Sequence, residues 1–222
     1  MTLLFGIALC LLFLLLWVLW KARYHRRVDW NDPVLNFLDG LNRYYCCSFH
    51  RLSKFEDRSS TGDQQILVSN HISGLDPLLL AAWSSRPLRF LVAREEYERW
   101  WLHPLLRKMQ CIPVDRQQAG PKSFLATRRI LRQGERVAVF PQGGIQHPTE
   151  QAKTLKNGAQ LLAHSSGFSL LPIRVSGIRC QGSTFLALLL RSQARLEVFE
   201  AIPGRDASSE QAQIHIAVSL GL

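Results

Sequence analysis

Two side chains invite a chemical reading first: His71 and Asp76, five residues apart in Asn70-His71-Ile72-Ser73-Gly74-Leu75-Asp76-Pro77. Five residues on an α-helix turn through about 500°, leaving the side chains roughly 140° apart, so the pair cannot meet across one helical face. They can meet if His71 lies in the turn leaving the apolar run 66–69 and Asp76-Pro77 opens the next helix, with Gly74 supplying the conformation the turn demands. Asp76 then fixes the imidazole tautomer, and the other ring nitrogen is left to take a proton. Imidazole ordinarily titrates at about pH 6.5, which suits removal of a proton from an attacking hydroxyl. The plainer alternative makes Asp76 a helix cap and His71 an ordinary turn residue. No Gly-x-Ser-x-Gly elbow offers a serine nucleophile, and Gly120-Pro121-Lys122-Ser123 lacks the earlier glycine of a phosphate loop.

The elements that must position this pair alternate along the chain. Short apolar runs at 66–69, 89–93, 112–114, 137–140, 170–175 and 196–199 read as strands, and 77–83, 95–109, 121–132 and 156–164 read as helices. That alternation predicts an α/β fold, a mixed sheet flanked by helices, in one domain over residues 48–222. Residues 207–222 are weakly helical at best, since Ile214 and Ile216 alternate as in a strand. Asp32-Pro33 predicts a capped amphipathic helix over 33–47, packed on the domain or lying on a membrane. Trp100-Trp101, with Tyr97 and Leu102, are core aromatics, an interfacial foot or an acyl-chain contact.

Residues 2–20 are uncharged and reach about 28 Å as a helix, one bilayer core, which predicts a single transmembrane anchor. A cleaved signal peptide is the rival, but no Lys or Arg precedes the run and no small-x-small site follows it. Trp17 and Trp20 stand where an aromatic belt falls, and Lys21, Arg23, Arg26 and Arg27 follow at once, so the rest of the chain is expected in the cytoplasm. The 222 residues are 47% hydrophobic and carry 27 Lys and Arg against 17 Asp and Glu, a net charge of +10. Such a balance excludes a disordered tail and favours anionic partners. The basic residues read as dispersed, without a helix-turn-helix, zinc-finger or RNA-binding signature, so no nucleic-acid partner is expected. Five cysteines without a Cys-x-x-Cys pair indicate neither a disulfide framework nor a zinc site; no metal is expected, and the thiols suit a reducing compartment.

The stretch Asn70-His71-x-Ser73-x-x-Asp76 resembles the first motif of the glycerophosphate and lysophospholipid acyltransferase family, which likewise follows a buried strand. Further blocks follow in order: Val92-Ala93-Arg94-Glu95-Glu96 with Ile112-Pro113-Val114-Asp115-Arg116, then Phe140-Pro141-Gln142-Gly143, then Leu171-Pro172-Ile173. Together they cover about residues 65–178. The third block departs from the usual Phe-Pro-Glu-Gly-Thr-Arg-Ser at Gln142, Gly144 and Ile145, and Gln110 stands where a glycine is usual before the second block's strand.

The resemblance implies a glycerophosphate acyltransferase-like fold and transfer of an acyl group from a thioester to a lysophospholipid hydroxyl, with His71 and Asp76 as the catalytic pair. It implies acceptor contacts at Arg116, Gln142, Gly143 and Gly144. Arg94, Asn70 and Ser73, beside the Gly143-Gly144 amides, are candidates to steady the oxyanion or thioester. No cofactor is expected beyond the donor itself, acyl-coenzyme A or acyl-carrier protein, and the partners are that donor and a membrane lipid. Because the third block is altered, two other readings stay open: an acyltransferase for an uncharged lipid hydroxyl, and an inactive lipid-binding member of the family.

Overall fold

The computed structural model describes residues 2–53, 65–115, 121–151 and 153–222. Helix α1 (Thr2–His25) carries the uncharged run and continues through Lys21 and Arg23. Residues 4–25 form one helix long and apolar enough to cross a membrane, with none of its apolar window buried in the protein. Helix α2 (Pro33–Tyr44) starts where Asp32 accepts hydrogen bonds from the Val34 and Leu35 amides, and a π-helical turn, Tyr45–Phe49, ends it. It packs on the domain: Asn42 donates to the Leu78 carbonyl, and buried Arg43 pairs with Asp39 at 2.8 Å while donating to the Ala82 and Ser84 carbonyls. Gly40 permits the α1–α2 crossing, because a Cβ there would stand 1.7 Å from the Ala22 carbonyl oxygen.

Strand β1 (Gln65–Ser69), entirely buried, leads into α3 (Asp76–Trp83). Next come β2 (Leu88–Ala93), α4 (Arg94–Tyr97), α5 (His103–Lys108) and β3 (Ile112–Val114). The helix expected over 95–109 is thus two short ones, and Pro104 in the first turn of α5 explains the break, since its ring cannot continue a preceding helix. Helix α6 (Pro121–Arg132), β4 (Arg136–Val139), α7 (Gly158–Ser166) and β5 (Ser169–Ser176) follow. A short α8 (Leu186–Leu189) precedes β6 (Arg195–Val198). The chain ends in α9 (Glu210–Leu220), which corrects the expectation of weak helicity at best. Ser209 caps it and Gly221 closes it in a left-handed conformation; Ala212, Ile216 and Leu220 point inward at helical spacing while Ile214 faces solvent.

Among the described residues six strands form one sheet in the order β3-β2-β4-β1-β5-β6. All neighbours are parallel except β5 and β6, the mixed sheet read from the sequence. Alternation along β1 divides the core. Leu67 packs with Leu79, Leu80, Leu106 and Ala187 on the face that carries α3, α5 and α8. Ile66 and Val68 pack with Ile130, Leu131, Leu162 and Ile216 on the face that carries α6, α7 and α9. Because β1 to β4 run parallel, the segments that leave them gather at one sheet edge, where open α/β sheets place their sites.

Candidate active site

His71 and Asp76 meet as the spacing required. His71 lies in the turn after β1, Asp76 is the first residue of α3, and His71 Nδ1 stands 2.9 Å from Asp76 Oδ2. The carboxylate is fully buried, and its charge is met by hydrogen bonds: Oδ2 also accepts from the Ile72 and Ser73 amides at 2.7 and 2.8 Å, and Oδ1 accepts from the Ser73 hydroxyl at 2.6 Å. With Asp76 ionised, Nδ1 carries the ring proton and Nε2 keeps its lone pair. Nε2 has no hydrogen-bond partner among the described residues, and the His71 side chain remains 17% exposed. Gly74 is held against the segment after β5: its amide donates to the Ser183 carbonyl, and a Cβ would lie 2.2 Å from the Thr184 oxygen.

Segments from β4 and β5 lock this turn. Phe140 stacks on the His71 ring, centroids 4.2 Å apart. The His71 amide donates to Gln142 Oε1 at 2.5 Å, and its carbonyl accepts from the Gln146 amide at 2.7 Å. Asn70 spans to β5, donating to the Val175 carbonyl at 2.9 Å and accepting from the Val175 amide at 2.7 Å. The Gly182 amide donates to the Ile72 carbonyl.

Several site candidates take different places from those expected. Asn70 and Ser73 are buried, and their donor groups are engaged by Val175 and Asp76, so both build the turn instead of facing an oxyanion. Arg94 forms a two-pronged pair with Asp115, 2.7 Å at Nε, on an exposed surface; that pairing holds the Asp115 carboxyl below the usual carboxylate range. Gln142 is buried and uses its carbonyl on the His71 loop, a bond a glutamate accepts equally well, which gives the Glu-to-Gln departure a physical reading. Its Nε2 is buried without a partner. The Gly143 amide closes a turn onto the Phe140 carbonyl, whereas the Gly144 amide has no acceptor among the described residues. Arg116 lies outside the described residues.

Phe140, Gln146 and the Lys156 side chain, whose Nζ stands 3.2 Å from where a Gly143 Cβ would be, were not singled out from the sequence. Only Phe140 had a signal, its place in the third block. Trp100 and Trp101 are not core aromatics: Trp100 is 86% exposed, and Trp101 leans on Phe185 with ring centroids 6.5 Å apart. Behind α3, a largely apolar cavity of about 770 Å³ is lined by Leu38, Leu41, Phe49, Leu78, Ala81 and Leu105 among others. No cluster of potential metal ligands occurs among the described residues.

The fold is similar to the crystal structure of the 1-acyl-sn-glycerophosphate (LPA) acyltransferase PlsC from Thermotoga maritima, with a TM-score of 0.63 at 16% identity over 94% of this chain and 86% of that one. Among curated proteins, 90 residues (40% of this chain) are 30% identical to the 1-acyl-sn-glycerol-3-phosphate acyltransferase of Bacillus subtilis (strain 168). Over 119 residues (50% of this chain) the chain is 29% identical to the probable 1-acyl-sn-glycerol-3-phosphate acyltransferase of Mycoplasma pneumoniae. Each match spans 44% of the relative's length, less than half. The sequence model of the acyltransferase family matches residues 50–176, more than half the chain and all of β1 to β5, and on that match the chain belongs to the acyltransferase family.

Proposed function

We propose that the protein transfers a fatty acyl group from a thioester to the free hydroxyl of a lysophospholipid, 1-acylglycerol-3-phosphate being the first candidate, with His71 as general base. The observation that carries this reading is the dyad: an imidazole whose Nδ1 is held by a buried carboxylate and whose Nε2 is without a hydrogen-bond partner among the described residues, on a side chain that is still partly exposed. Nε2 takes the hydroxyl proton as the acceptor oxygen attacks the thioester carbonyl; the tetrahedral intermediate then expels the thiolate, which recovers the proton from the imidazolium. An alcohol is too weak an acid to ionise beforehand, and the in-place carboxylate stabilises the imidazolium that forms. The Gly144 amide is the available backbone donor for the oxyanion. The apolar cavity behind α3 is of a size and character for an acyl chain. In this reading α1 is the membrane anchor, supported by its length and apolar composition, and the basic residues that follow it favour a domain on the cytoplasmic side, where acyl thioesters are made.

The test uses the detergent-solubilised full chain with an acyl-coenzyme A or acyl-carrier donor. His71→Ala should abolish acylation of lysophosphatidate while the circular dichroism spectrum is unchanged, and Arg116→Ala should weaken use of lysophosphatidate more than of monoacylglycerol. A folded His71 variant with most of its activity defeats the dyad mechanism. Equal wild-type rates on the phosphorylated and dephosphorylated acceptors defeat the phosphate reading and favour the uncharged acceptor.

A further inference from the structure

On the α3 side of the sheet, two segments remote in sequence expose large apolar side chains next to one another. Trp100 and Trp101 come from the bend between α4 and α5, and Phe185, Leu186 and Leu189 come from α8 and the residue before it. Trp101 leans on Phe185, which joins the two segments, and Leu189 is 71% exposed. Exposed apolar residues on the other face, such as Leu125, Leu161 and Ile214, are spread over α6, α7 and α9. Scattered residues of that kind are ordinary on any surface, whereas a contiguous patch marks a place of contact.

The position of the patch along α1 says what covers it. Helix α2 runs back along α1: the Arg27 amide donates to Asp39, Gly40 crosses at Ala22, and Tyr44 stands edge-on to Trp17 at 5.7 Å, with Lys21 Nζ 4.9 Å from its ring. At Tyr44 the chain is therefore level with Trp17 and Trp20, near the end of the apolar run. The next residue, Tyr45, donates its hydroxyl to the Leu188 carbonyl, and Arg191 donates to the Ser48 carbonyl at 3.5 Å, so α8 is held at the same level. Residues 177–196 carry three arginines, Arg179, Arg191 and Arg195, and no carboxylate, a balance suited to anionic headgroups, and tryptophan favours the depth where headgroups meet acyl chains. We propose that Trp100, Trp101 and α8 form a foot of the acyltransferase domain itself, seated in the lipid leaflet from which α1 emerges. The inference rests on the membrane-anchor reading above and adds a lipid contact separate from α1 and α2. The foot is tied to the dyad: the Leu186 amide donates to the Ser183 hydroxyl, the Ser183 carbonyl accepts from the Gly74 amide, and the Gly182 amide holds the Ile72 carbonyl. Seating α8 in lipid brings the His71 turn down to acceptors that stay in the bilayer.

The test reconstitutes the full chain in phosphatidylglycerol vesicles containing a phospholipid with a photoactivatable diazirine in its acyl chain, and maps the label by tryptic mass spectrometry. Label should fall on residues 1–21, on Trp100 and Trp101, and on residues 180–191, and should spare residues 206–222, whose exposed Ile214 and Val218 belong to α9 on the opposite face. With lysophosphatidate presented in vesicles, F185Q/L189Q should raise the apparent KM at least fivefold, and Trp100→Gln should raise it less. With a short-chain, monomeric lysophosphatidate both variants should keep kcat/KM within twofold of wild type, circular dichroism serving as the folding control. Label on residues 1–21 without label on 180–191, equal label on 206–222, unchanged vesicle kinetics in the folded variants, or a dimer of the chain that F185Q/L189Q dissolves would each overturn the proposal. Absence of label from residues 1–21 would instead overturn the anchor reading. The labelling needs no turnover, so absence of acyl transfer would overturn the acyltransferase reading alone.

Discussion

Asp76→Asn isolates the charge of the buried carboxylate from its scaffolding. The substitution is nearly isosteric: a carbonyl oxygen at the Oδ2 position still accepts from His71 Nδ1 and from the Ile72 and Ser73 amides, and the Ser73 hydroxyl turns to accept from the new amide. The fold and the imidazole tautomer are therefore kept. What disappears is the attraction between the carboxylate and the imidazolium that forms as the proton is taken. With Nδ1 and Oδ2 2.9 Å apart and charge centres about 4 Å apart, that attraction amounts to about 4 kcal/mol at an effective dielectric constant of about 20. At 1.36 kcal/mol per decade, kcat should fall about 10³-fold. The assay is kcat at saturating donor and lysophosphatidate, with thermal melting as the folding control. Asp76→Ala provides the contrast, because it strands the Ile72 and Ser73 amides in a site with no solvent and should unfold the turn as well. A folded Asp76→Asn enzyme that retains a tenth or more of wild-type kcat would refute the electrostatic role.

Gly74→Ala drives a methyl into the Thr184 carbonyl and should separate the His71 turn from the segment after β5; activity should drop at least tenfold, and wild-type kinetics in this variant would contradict the packing. Arg43→Met leaves the Asp39 carboxylate buried without its partner and should cost about 3–5 kcal/mol in denaturant melts; a loss under 1 kcal/mol would show that the pair is dispensable. His50 is buried between the Tyr45 and Phe49 rings, and burial lowers its pKa. The unfolded chain therefore takes the proton first, so this contribution to stability is complete above about pH 6.5 and is lost as the pH falls through the folded value. Melts at pH 7.5 and 5.5 should show the loss, and His50→Phe should reduce it; an unchanged pH dependence in that variant would exclude His50 as its source. Burial pushes the Cys111 thiol up to about 11 and raises that of Cys46 as well, whereas Cys180 is exposed. Iodoacetamide at pH 8 should label Cys180 well before the other two, a sequence of events read by mass spectrometry and contradicted by equal rates.

The dyad was legible because helical geometry allows a histidine and an aspartate five apart to meet only across a strand–turn–helix, and Pro77 marks where that helix starts. The mixed sheet was legible for a similar reason: each buried strand is a short apolar run bounded by polar turns. The break at Pro104 was also written in the chain, but hydrophobic spacing through 95–109 outweighed it. For α9 the pair Ile214 and Ile216 misled, since two residues cannot separate a period of 2 from one of 3.6, and the inward set Ala212, Ile216 and Leu220 spans the whole helix. The work done by Asn70 was not legible. Its amide presents one donor and one acceptor to Val175, as a backbone residue does, and nothing in residue type separates that use from contact with a ligand. Gln142 is the same case, its carbonyl spent on a neighbour's backbone 71 positions away.

The crossing at Gly40 has a mechanical consequence. Backbone meets backbone there, with no side chain between α1 and α2 to act as a cushion, and Arg43 rivets α2 to the end of α3. The apolar helix α1 is thus no leash from which the domain swings; it is an axle continuous with the domain. Ala22 stands two residues past Trp20, about 3 Å along the helix axis, so in the membrane-anchored reading proposed above α2 is held close to the end of the apolar run, and the height and compass bearing of His71 over the bilayer are set by α1. Every residue added to such an axle turns its load by about 100°. One alanine inserted after Trp20 would aim the dyad sideways across the membrane surface, while seven would restore its heading within about 20° but lift it roughly 10 Å from its lipid.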